Sequence, residues 1–150
     1  MDALKHWVKE ALLGNYTPLK LSPNDADLNT INLTDVIAAH NAWLDKLETT
    51  LKGQNPEEYD PAIVGSDHLC ALGKWMNSDG LSLADLPEFA NVKSVHAAFH
   101  QCAGELLQKH KAGKFADAIS LLRNKLPDLS RQVQVHLVSL LIAYKEKNKL

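Results

Sequence analysis

The stretch PEFANVKSVHAAFHQCAGELLQKHKAG, Pro87 to Gly113, decides the fold. Phe89, Val92, His96, Phe99, Ala103, Leu106 and His110 recur along it at steps of three and four, so one face of a long helix is built to be buried. Pro87 suits the first helical position, where its missing N–H is no loss, and Gly113 suits the residue just past the end. The same stripe carries histidines where a core prefers aliphatic groups, and His100 follows His96 by one helical turn. A buried imidazole needs a partner, so this helix raises a question of chemistry as well as of fold.

Working outward, Leu33, Ile37, His40, Leu44, Leu47 and Leu51 form a second helical stripe. Asn32 followed by Asp35 signals its start, and Gly53 its end. Phe115, Ile119 and Leu122 begin a shorter helix. After Pro127, Leu129, Val133, His136 or Leu137, Leu140 and Tyr144 give a closing one. Ser66 to Ser78, SDHLCALGKWMNS, reads as about three helical turns with Ser66 as the N-cap. No segment alternates with period two over a convincing length, so the expected fold is an all-α bundle. Leu4, Trp7, Val8 and Leu12 make an amphipathic N-terminal arm, which the turn-rich GNYTPLKLSPNDADLN (Gly14 to Asn29) detaches from the bundle. The arm then covers either a partner subunit or the bundle's own surface. The expected division is an arm and linker over 1–31 and a helical domain over 32–148.

The chain of 150 residues suffices for one core, and 45% hydrophobic with 23% charged residues is globular composition. Sixteen basic against eighteen acidic residues give a net charge of −2, and no basic block is dense enough for nucleic acid. The N-terminus lacks a signal-peptide core, and no membrane span is found. A cytoplasmic location is expected, with both cysteines reduced.

Seven histidines are present, and four of them, His40, His96, His110 and His136, fall on core stripes. His110 and His136 lie near expected helix ends and read as ordinary packing or rim positions. His96 and His100, four apart, place two imidazoles on one face, a weak signal alone. It is strengthened by His40 on another helix and by Cys70 near the start of a third. Three imidazoles and one thiolate form a closed tetrahedral set that suits zinc. The alternative for Cys70 is a small buried hydrophobe. Cys102, two residues after His100, points away from it and reads as packing. His68, two residues before Cys70, is expected outside the site. Gly73 would let a neighbouring helix approach closely.

HNAW (His40 to Trp43), CALGKW (Cys70 to Trp75) and HAAFH (His96 to His100), in this order, resemble the chemoreceptor zinc-binding domain, a bacterial sensory module attached to chemotaxis receptors and diguanylate cyclases. The resemblance spans Leu33 to Tyr144. It implies a four-helix bundle, here with an additional N-terminal arm and a short helix, holding one zinc through His40, Cys70, His96 and His100. Trp43, Leu72, Gly73 and Trp75 are implied as motif residues around the metal. It also implies a homodimer, and signalling of zinc, or of an oxidant such as hypochlorous acid acting at Cys70, to a partner in chemotaxis or cyclic-di-GMP pathways. Wide apolar stripes fit a dimer, with Trp7 and the arm as candidates for the contact.

A closed four-ligand site leaves no position for substrate, which argues against an enzyme. Two rivals stand beside the sensor. One is a hemerythrin-like di-iron bundle, which needs carboxylates facing inward, whereas Asp45, Glu48 and Glu105 fall off the core stripes. The other is a structural zinc scaffold.

Overall fold

The computed structural model describes residues 2–53, 61–66 and 70–148. Chain order is α1 (Asp2–Leu12), a hairpin of β1 (Asp27–Leu28) and β2 (Ile31–Asn32), α2 (Leu33–Leu51), α3 (Pro61–Val64), α4 (Ala71–Met76), α5 (Pro87–Lys111), α6 (Phe115–Ser120) and α7 (Leu126–Lys147). This is an all-α bundle with an N-terminal helix and short helices packed on the long ones. Among the described residues no helix is long and apolar enough to cross a membrane.

Helices α2 and α5 form where the stripes place them. The Asn32 side chain accepts from the Thr34 and Asp35 N–H groups and caps α2. Gly53 (φ +72°) and Gly113 (φ +78°) take the left-handed conformation beyond α2 and α5. Phe89, Val92, His96, Phe99, Ala103 and Leu106 are all buried, and α5 packs most extensively on α7. Of the two residues competing for the α7 core position, Leu137 is fully buried and His136 is half-buried.

Four expectations are corrected. The segment before Pro127 is not a separate helix, because Leu121–Lys125 forms a π turn that joins α6 to α7. Pro127 has no N–H and its ring would crowd the carbonyl four residues back, and a widened turn accommodates both effects. Phe115 and Ile119, expected in the core, are 56% and 37% exposed, while Ala118 is the buried residue of α6. In place of the helix expected from Ser66, Ser66 itself is not helical and α4 begins at Ala71, capped by Cys70, while residues 67–69 lie outside the described residues. Finally, the arm is not detached. α1 lies against α7, with Leu4 and Trp7 buried. The Trp7 indole donates to the Thr17 carbonyl at 2.9 Å, and the Tyr16 hydroxyl donates to Gln134 on α7. Burying a tryptophan and a leucine is worth a few kcal/mol, so the arm covers its own bundle.

The small hairpin was not legible from periodicity. It buries Ala26 and Leu28 completely, and its turn residue Asn29 has φ +56°, which asparagine tolerates better than most residues. Asn29 Oδ1 accepts from the Trp75 indole at 3.4 Å, and the Thr30 hydroxyl donates to Asp79 at 3.1 Å. The hairpin thereby ties the segment after α4 to the start of α2.

Candidate metal centre

Three separate elements deliver four donors to one point. The side chains of His40 on α2, Cys70 at the start of α4, and His96 and His100 on α5 offer ligand atoms that all lie within 4.8 Å of one another. Cys70 Sγ is 3.2 Å from His96 Nε2, and His96 Nε2 is 3.0 Å from His100 Nε2. In a tetrahedral zinc site, bonds of about 2.0–2.1 Å to nitrogen and about 2.3 Å to sulfur separate neighbouring donors by roughly 3.3–3.6 Å. The observed spacings are close to that, so the residues fit the ion.

The tautomers fit as well. His40 Nδ1 faces the Val36 carbonyl at 3.1 Å, and His100 Nδ1 faces the Val64 carbonyl at 2.9 Å. A carbonyl only accepts, so each Nδ1 carries the proton and each Nε2 keeps its lone pair. His40 Nε2 is buried with no hydrogen-bond partner among the described residues. A lone pair left so in an apolar interior is costly, and a cation satisfies it.

Cys70 stands closer to the helix dipole than the sequence suggested. With φ −84° and ψ 164° it is itself the N-cap of α4, and its sulfur accepts the Gly73 N–H at 3.3 Å. Gly73, read as a point of close helix approach, serves the sulfur directly through its backbone. A sulfur accepting a helix-terminal N–H is better stabilised as thiolate than as thiol.

The other motif residues surround these donors. Leu72 is fully buried beneath α4, and Trp75 is buried at 6.5 Å from the Phe89 ring. Trp43 is half-buried with the Lys46 ammonium 5.3 Å from its ring centre. A cleft of about 380 Å³ lined by Thr30, Val36, His40, Trp43 and Cys70 leads to the site. Phe99, read only as a core residue, sets its ring edge-on to both His40 and His100, at 5.4 and 5.5 Å. Its position three residues after His96 and one before His100 was the only sign. The carbonyls of Val36 and Val64 had no sequence signal at all.

The remaining candidates stay apart. Cys102 is buried on α5 and outside the donor group, and burial pushes its thiol up, with Lys125 opposing and Glu105 adding to the effect. His110 packs against Phe115 at 5.4 Å. His136 stands mid-helix on α7 rather than near an end, and partial burial lowers its pKa. His68 lies outside the described residues. Asp45, Glu48 and Glu105 are exposed, so none of these three supplies an inward carboxylate for a di-iron centre.

Burial lowers the His40 pKa to about 4, with the Val36 bond opposing and the neighbouring His100 adding to the effect. In the unfolded chain this ring protonates near pH 6.5. The unfolded state therefore binds more protons between pH 6.5 and 4, and the metal-free fold loses stability as pH falls through that window, levelling off below it. The loss from this residue is roughly 3 kcal/mol. Urea unfolding of chelator-treated protein at pH 7 and pH 4 should show it, and His40→Gln should show a smaller drop; equal drops in both would contradict it.

No curated protein and no solved structure gives a significant match to the chain. The stretch that contains all four clustered donors, residues 40–107, matches the chemoreceptor zinc-binding domain.

Proposed function

We propose that this protein is a zinc-binding regulatory domain, not an enzyme, that reports the state of its metal site to a partner protein in the cytoplasm. The observation that carries this reading is the convergence of His40, Cys70, His96 and His100 from three elements onto one point. Bound there, zinc would cross-link α2, α4 and α5 and hold the sulfur as thiolate. Four protein donors complete the coordination shell, which leaves no place for substrate or activated water.

Cys70 supplies a second input. Its sulfur is the only donor of the four that mild oxidants attack, and it is partly exposed on the cleft. Peroxide would take the thiolate to a sulfenic acid with release of hydroxide, and hypochlorous acid would do so with release of chloride. A sulfenic acid is a poorer ligand, so α4 would come loose from α5. The bond that the Trp75 indole donates to Asn29 and the one that Asp79 accepts from Thr30 would carry that movement through the hairpin to the start of α2. The reading extends to a homodimer signalling in chemotaxis or cyclic-di-GMP pathways. The exposed apolar side chain of Ile119, beside half-buried Leu44, Leu51 and Leu122, supports a second copy as the partner.

Stoichiometric hypochlorous acid, with a chromophoric zinc indicator, tests the proposal. Wild type and Cys102→Ser should release zinc together, and Cys70→Ser should bind zinc weakly and show no oxidant-triggered release. The same samples in sedimentation should run with the mass of two chains. Unchanged occupancy in oxidised wild type would leave reversible zinc loading as the signal, and a single-chain mass at micromolar concentration would remove the dimer.

A further inference from the structure

Helix α3 is short, yet it approaches α5 more closely than side chains allow. A Cβ placed on Gly104 would lie 2.8 Å from the Pro61 carbonyl oxygen and 2.9 Å from Gly65 Cα, and one placed on Gly65 would lie 3.7 Å from both Gly104 Cα and the His100 carbonyl oxygen. Every one of those neighbours is backbone, so none can swing away. The Pro61 oxygen also accepts the Gly65 N–H at 2.9 Å, which closes the turn of α3. Between these two contacts lies Val64, whose carbonyl receives His100 Nδ1 at 2.9 Å. Gly104 is one turn after His100 on the same face of α5, so the glycine contact and the imidazole bond are neighbouring rungs of one interface.

We propose that Gly104 and Gly65 are positioning residues for His100: their backbone-to-backbone contact seats α3 so that the Val64 carbonyl fixes the Nδ1-protonated tautomer and aims Nε2 at the metal. The proposal rests on the zinc reading above. A methyl group on Gly104 cannot be accommodated without moving α3 outward by more than about half an ångström, since ordinary contact begins near 3.4 Å. The same movement takes the Val64 oxygen from 2.9 Å to beyond the range of a sound N–H···O bond. His100 then loses the acceptor that fixes the proton on Nδ1. Loss of such an outer partner typically lowers metal affinity about 10–100-fold.

Two readouts test this in the full chain. Zinc affinity is measured by competition with a chromophoric chelator, and the His100 tautomer by ¹⁵N chemical shifts in the metal-free protein. Gly104→Ala should bind zinc at least about tenfold more weakly and lose the fixed Nδ1–H signal of His100, while His40 keeps its own. Gly65→Ala, whose methyl would meet α5 at an ordinary 3.7 Å but the Pro61 oxygen of its own turn at 3.0 Å, should fall between it and wild type, and it carries the comparison if Gly104→Ala does not fold. Ala103→Gly, a neighbouring buried site on α5, should loosen the helix without changing the His100 signal. Wild-type affinity and tautomer in both alanine variants overturn the proposal, as does an equal affinity loss in Ala103→Gly. Failure of wild type to bind zinc would instead overturn the zinc reading, with the His100 tautomer alone then deciding the positioning role.

Discussion

His96→Ala is expected to weaken zinc binding by about two orders of magnitude or more. A four-ligand structural zinc site supplies on the order of 10–16 kcal/mol, so one ligand in four carries roughly 3 kcal/mol, which is over a hundredfold. His96 is the fully buried member of the group, and its Nε2 lies within 3.2 Å of both Cys70 and His100. No other described side chain is placed to take over its position. His100→Ala should behave similarly, whereas His110→Ala and His136→Ala should leave affinity unchanged, because neither ring belongs to the donor group. Competition with a chelator of known affinity measures all four. Equal losses across the four variants would mean that a different set of histidines converges.

Removal of zinc is the second large effect. A ligand at a thousandfold excess over its Kd stabilises the folded state by about 4 kcal/mol, which in a domain of this size corresponds to roughly 10 °C in Tm. Chelation should lower Tm by about that amount while the far-ultraviolet helical signal at 25 °C persists. Helicity persists because much of the core does not involve the metal. Leu106 of α5 and Leu126, Leu137, Leu140 and Leu141 of α7 are fully buried, and α5, α6 and α7 fold back on one another through short connections. The elements that the ion would tie to α5 are α2 and α4, which bring His40 and Cys70 to the donor group. Collapse of the helical signal on chelation would favour a structural scaffold over a sensor.

The two long stripes were legible because three-and-four spacing over many turns has few other solutions. Asn32 and Gly113 marked helix ends through chemistry that a sequence displays. The start of α4 was misread because cysteine is an unusual cap and Ser66 is a usual one. Only the geometry shows Sγ accepting the Gly73 N–H. The hairpin of two residues per strand is too short for any period to register. The docking of α1 depends on tertiary burial of Trp7, which the turn-rich linker disguised. Phe115 and Ile119 kept the right spacing but stay exposed among the described residues, because α6 buries Ala118 instead. At the metal centre, the donors carry a spacing and a motif. Their orienting partners are the carbonyls of Val36 and Val64, which every residue type possesses and no sequence distinguishes.

Zinc K-edge X-ray absorption on the purified protein, with total zinc per chain from the same sample, reads the centre most directly. One zinc per chain with three nitrogen donors at about 2.0–2.1 Å and one sulfur at about 2.3 Å is the expected result. Substoichiometric metal, or a shell without sulfur, would contradict a site built from His40, Cys70, His96 and His100.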